Sequence, residues 1–117
     1  MTITLYGIPN CDQVKKARTW LDTHAVDYVF HDFKKAGINP NLIKTWLDDV
    51  AWDMLINRKG TTWRALPDER KAAIIDATSA AELMLESSSI IKRPVLSTAD
   101  STHIGFSEEL YQQLFKK

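Results

Sequence analysis

An α/β fold with strands at both ends of the chain and helices between them is predicted by three features of the sequence. The chain opens with an alternating run, Thr2-Ile3-Thr4-Leu5-Tyr6, a tight turn and a helical pattern, followed by a second strand at 26–33. Residues 39–89 carry almost only helical patterns. Strand signals return late, at 90–106, before a last helix. The expected order is β-α-β, a helical block, then β-β-α.

The elements follow in turn. Val14, Ala17, Leu21 and Ala25 stand at helical spacing after the turn Gly7-Ile8-Pro9-Asn10-Cys11-Asp12, with Asn10 the expected N-cap and Cys11 in the first turn. Residues 26–33 mix β-branched and aromatic side chains with polar ones and are expected to pair in parallel with the first strand through a right-handed crossover. Lys34-Lys35-Ala36-Gly37-Ile38 reads as a loop. Asn39-Pro40 offers a cap and a proline at the first helical position, and Leu42, Ile43, Trp46, Leu47 and Val50 form the apolar face of the helix that follows. Trp52, Leu55 and Ile56 suggest a short helical piece ending near Asn57-Arg58-Lys59-Gly60, a basic, glycine-terminated tail that suits a helix C-terminus.

Residues 61–66 fit either a loop or a short turn. Leu66-Pro67-Asp68-Glu69 starts a helix burying Ala72, Ile75 and Ala73, and Ser79-Ala80-Ala81-Glu82 has capping-box spacing ahead of Leu83, Met84 and Leu85. Residues 90–97 form a strand, Thr98-Ala99-Asp100-Ser101 a turn, and Thr102–Phe106 the returning arm of a hairpin. Ser107-Glu108-Glu109 caps a final helix with Leu110, Tyr111, Leu114 and Phe115 on its apolar face.

The chain has 117 residues, 44 % of them hydrophobic, which is enough for one domain spanning 1–117 with a helical insertion at about 39–89. Fifteen basic and fifteen acidic residues cancel, so no global field favours nucleic acid or an anionic membrane. No signal-peptide pattern opens the sequence and no apolar run approaches the roughly eighteen residues of a membrane span. A soluble, cytoplasmic, monomeric protein is expected. Cys11 is the single cysteine, so an internal disulfide is excluded, and His24, His31 and His103 show no metal-ligand spacing.

Cys11 is the first candidate for chemistry. Free cysteine is only a few per cent thiolate at neutral pH, with a pKa of about 8.5, and a helix N-terminus or nearby Arg or Lys lowers that value. The adjacent Asp12 acts in the opposite sense. Val14 occupies the position of a second thiol in a Cys-x-x-Cys pair, so disulfide chemistry here requires an outside thiol.

The element order is that of the thioredoxin fold, and the sequence resembles the arsenate reductase (ArsC) family, which includes the Spx regulators. The resemblance rests on Ile3-Thr4-Leu5-Tyr6-Gly7 with Asn10-Cys11, on Leu55-Ile56-Asn57-Arg58-Lys59-Gly60, on Arg93-Pro94-Val95, and on Gly105-Phe106-Ser107-Glu108. The Cys11 and Lys59-Gly60 segments look most like the YffB branch, proposed to be glutathione-dependent thiol reductases. The resemblance implies that Cys11 is the nucleophile and that Arg93 stands beside it before a cis Pro94. A guanidinium so placed would stabilise a thiolate and bind an oxyanion through its fork of donors.

The resemblance further implies a glutathione-dependent thiol-disulfide reductase, with glutathione as co-substrate, a small-molecule or protein disulfide as target, glutaredoxin as a further partner, and no metal. Asn10, Lys15, Arg58 and Pro94 are the accompanying substrate-binding candidates, Asn10 chiefly as a cap. Two rival readings share the same residues. Arsenate reduction coupled to glutaredoxin asks for three arginines, of which only Arg93 is clearly kept; Asn57 and Gly105-Phe106 occupy the other positions. An Spx-like adaptor binding RNA polymerase needs no turnover, but Spx regulators switch through a Cys-x-x-Cys pair that is missing here.

Overall fold

The computed structural model describes residues 2–116 and contains, in chain order, β1 (Thr4–Gly7), α1 (Asp12–Thr23), β2 (Val29–Asp32), α2 (Phe33–Ala36), α3 (Pro40–Asp49), α4 (Trp52–Leu55), α5 (Thr61–Arg64), α6 (Asp68–Ala72), α7 (Ala77–Glu86), a 3-10 turn (Ser88–Ile90), β3 (Val95–Ser97), β4 (Thr102–Ile104) and α8 (Glu108–Phe115). The chain divides into two units, one of residues 1–37 with 93–117 and one of residues 38–92.

The first unit is built on a four-stranded mixed sheet in the order β2-β1-β3-β4. β1 pairs in parallel with β2 and antiparallel with β3, and β3 pairs antiparallel with β4. This is the thioredoxin-like α/β arrangement expected from the element order. Its core joins Ile3, just before β1, and Leu5 and Leu96 of the sheet to Ala17, Trp20 and Leu21 of α1 and Tyr111 of α8. Trp20 meets Tyr111 edge-on at 5.5 Å, and Phe106 meets Tyr111 at 4.8 Å in the same manner. Each fully buried Leu contributes about 1.5–3 kcal/mol relative to exposure, so Leu5, Leu21 and Leu96 are major contributors to this unit.

In the second unit α3 and α7 pack together and α4 packs on α7, around Ile43, Trp46, Leu55, Leu83, Met84 and Ile90. Asn39 caps α3 as expected, its side chain accepting the Leu42 N–H at 2.9 Å, with Pro40 at the first position. Ile56 leaves α4 in extended form and bridges to Ile91.

Several expected boundaries differ, each for a local reason. The supposed loop at 34–36 is one helical turn, because Asp32 accepts the Lys34 N–H and Gly37, at φ 71°, ends the turn. Asn57–Gly60 does not close a helix: α4 stops at Leu55, and Gly60 instead precedes α5 as its N-cap. Ile90 and Ile91 stand outside β3, which begins only at Val95. Since α6 ends at Ala72, the helical periodicity lapses and Ile74 is buried while Ile75 is 72 % exposed. Leu85 is likewise exposed, and α7 buries Ala80, Leu83 and Met84.

The cap of α7 is Asp76 rather than Ser79. The carboxylate accepts the Ser79 N–H at 2.8 Å, and the Ser79 hydroxyl accepts the Asp76 N–H at 3.2 Å. Hydrogen bonds from the Ser79 backbone, then from its hydroxyl, hold the Asp76 carboxyl below its ordinary value. A carboxyl lowered in the folded state stabilises the fold fully above the unfolded value of about 3.9, and that stability is lost as pH falls through the folded value. Urea unfolding at pH 7 and at pH 3 should therefore show the wild type losing part of its advantage over Asp76→Asn in acid; an unchanged difference would contradict this linkage.

Candidate functional site

Strand register brings four chain segments to one end of the sheet. Tyr6 opposes Val95, so the chain leaving β1 toward Cys11 and the chain entering β3 through Arg93-Pro94 occupy the same end. Gly7 is paired with Asp32, which places the end of β2 there too. Val95 faces Ile104, and the Gly105 N–H donates to the Pro94 carbonyl at 2.8 Å, tying the Gly105–Ser107 segment to the same place. Gly105 has φ 79°, a conformation in which glycine avoids the Cβ clash of other residues. The carboxyl ends of parallel strands are where open α/β sheets bind ligands.

Cys11 is half-buried and is itself the N-cap of α1, with φ −90° and ψ 128°; α1 begins at Asp12. Asn10 is therefore not the cap. Pro9 and Asn10 form the corner of a turn closed by the Cys11 N–H donating to the Ile8 carbonyl at 3.3 Å, an arrangement for which both residue types are suited. The Cys11 carbonyl accepts the Lys15 N–H at 2.9 Å, the first bond of the helix, and no side chain supplies the cap. The sulfur thus belongs to the residue at the positive end of the helix dipole.

Arg93 is half-buried with its Nε screened from solvent, and its peptide bond to the buried Pro94 is cis. Lys15 is exposed on the first turns of α1. Arg58 belongs to the second unit, where its guanidinium lies 5.6 Å from the Trp52 ring centroid and 5.8 Å from that of Trp63. Sequence patterns missed that approach, since neither tryptophan is at helical spacing from Arg58. Burial pushes the Tyr111 phenol well above its ordinary value, and burial, opposed by the Thr4 hydroxyl, raises that of Tyr6. Neither competes as an anion near neutral pH. No cluster among the described residues suits a metal ion. An open groove of about 680 Å³ runs along α1 past Lys16, Trp20 and His24 to Phe106 and Ser107.

The model of the ArsC family matches residues 6–114. The chain belongs to the ArsC family. A solved structure named YffB is 46 % identical, covering 96 % of this chain and 97 % of its own, with a TM-score of 0.91. An uncharacterised protein of Haemophilus influenzae is 40 % identical over 97 % of this chain and 98 % of its own. The global transcriptional regulator Spx of Streptococcus agalactiae is 26 % identical over 92 % of this chain and 78 % of its own. In this ArsC-family chain no helix among the described residues is long and apolar enough to cross a membrane.

Gly7 sets how closely α1 approaches the sheet. A Cβ there would lie 2.7 Å from Cγ2 of Val14, a fully buried side chain in α1. Gly7→Ala should destabilise the protein by about 1–3 kcal/mol in urea unfolding, the range for overpacking. It should also change the alkylation rate of Cys11 in the folded protein. Full wild-type stability would show that Val14 yields without cost.

Proposed function

We propose that this chain is a glutathione-dependent thiol-disulfide reductase working through Cys11 alone, acting in the cytoplasm as a monomer. The observation that carries the reading is the convergence of the single cysteine, at the positive end of α1, and Arg93-Pro94 at one end of the sheet. The Cys11 thiolate attacks the sulfur of a mixed disulfide between a target thiol and glutathione. A new S–S bond joins Cys11 to glutathione, and the target leaves as its thiolate. A second glutathione thiolate then attacks the mixed disulfide, releasing oxidised glutathione and regenerating the Cys11 thiolate. The net exchange converts the mixed disulfide and one free glutathione into the target thiol and oxidised glutathione, and no second protein thiol is needed.

Arg93 acts here as the cation that stabilises the attacking and leaving thiolates, with Pro94 fixing the strand entry and Asn10 shaping the turn. Lys15, exposed one turn along α1, adds positive charge near the incoming glutathione. Asn57 and Gly105-Phe106 supply no cation at the positions where arsenate reductases carry two further arginines, which favours a disulfide over a doubly charged oxyanion. Similarity to Spx over most of the chain supports one second reading, a non-catalytic regulatory adaptor that binds RNA polymerase.

Mass spectrometry after incubation with oxidised glutathione, paired with turnover of a glutathione mixed disulfide, separates these readings. Wild type should gain one glutathione and turn over, and Cys11→Ser should do neither. Arg93→Ala should form the adduct about tenfold to a hundredfold more slowly, the loss of one charge-assisted hydrogen bond. Full activity in Cys11→Ser overturns the mechanism, and adduct formation without turnover favours the adaptor.

A further inference from the structure

The four tryptophans fall into two classes. Trp20 and Trp46 are buried, whereas Trp52 and Trp63 are only half-buried and both stand near the exposed Arg58. Among the described residues the Arg58 guanidinium has no hydrogen-bond or ion-pair partner; its contacts are the two indole rings. A guanidinium within about 6 Å of two ring faces is attracted to them and keeps its N–H edge available for a carboxylate.

Charge along this segment is mostly positive. Residues 52–67 contain Arg58, Lys59 and Arg64 against the single acidic residue Asp53, although the chain as a whole is neutral. Met54, in the same segment, is 55 % exposed. Trp and Arg are the residue types that dominate binding energy at protein interfaces. Small-ligand sites are concave, and neither the groove along α1 nor the groove between α3 and α7 is lined by Trp52, Arg58 or Trp63. An exposed guanidinium gains little from a lone carboxylate in water, whereas a polypeptide also covers the indole rings.

From these observations we infer that Trp52, Arg58 and Trp63 form a docking surface for an acidic segment of a partner protein, whose carboxylate pairs with Arg58 and whose apolar side chains cover the two indoles. The surface uses neither Cys11 nor Arg93, so it stands or falls independently of the proposed reductase chemistry.

The test titrates the full-length ¹⁵N-labelled protein with a capped peptide of alternating glutamate and leucine, with a lysine–leucine peptide and sodium acetate as comparisons. The indole N–H signals of Trp52 and Trp63 should move with the acidic peptide while those of Trp20 and Trp46 stay. Arg58→Ala, a change at an exposed position, should weaken binding by about tenfold or more, and Arg58→Lys should fail to restore it fully because the fork is lost. Unmoved Trp52 and Trp63 signals, or undiminished binding in Arg58→Ala, overturns the proposal. Equal shifts with acetate at matched carboxylate concentration also overturn it, because the site then takes small anions rather than a protein segment.

Discussion

The contact between α1 and the end of β1 is the constraint on which the candidate site depends. Val14 lies so close over Gly7 that no Cβ fits between them, and this seats the first turn of the helix directly on the strand end. The turn Ile8–Cys11 reverses the chain within four residues, and Cys11 stands at the N-cap of α1. A thiol is a poor cap for backbone N–H groups compared with Asn, Asp or Ser. The site thus gives up a conventional cap in order to place sulfur at the positive end of the helix.

Sheet register does the rest. β3 runs antiparallel to β1, so the residues preceding it, Arg93 and Pro94, arrive where β1 ends. The Gly105 N–H holds the exit of β4 to Pro94 and brings Phe106 and Ser107 to the same end, from which Ser107 caps α8 by accepting the Leu110 N–H at 3.1 Å. Residues far apart in sequence are assembled by three short strands, and the core beneath them, Leu5, Leu21, Leu96 and Tyr111, keeps the strands and helices in place.

Much of this was legible in the residues. Alternation marked β1, Asn39-Pro40 and Ser107 marked two helix starts, and Thr98–Ser101 marked the hairpin turn, because caps and turns are read from adjacent side chains. Asn10 and Ser79 are both good capping types, yet Cys11 holds the cap of α1 after the turn closes and Asp76 holds that of α7, its carboxylate accepting the Ser79 N–H. Ile75 was misplaced because a five-residue helix has no room for a sustained stripe. The cis geometry before Pro94 is implied by family resemblance and not by the bare sequence, and the approach of Arg58 to Trp52 and Trp63 leaves no periodic signal.

The proposed reductase chemistry requires a Cys11 thiol that reacts readily in the folded protein, and comparing its alkylation rate at neutral pH in the folded protein and in the same chain unfolded in urea tests that requirement. The proposed chemistry expects faster reaction in the folded protein, despite the half-burial of Cys11, and a fall in that rate with added salt. Slower alkylation when folded would mean that the structure shields the thiol rather than activating it, and would contradict the account.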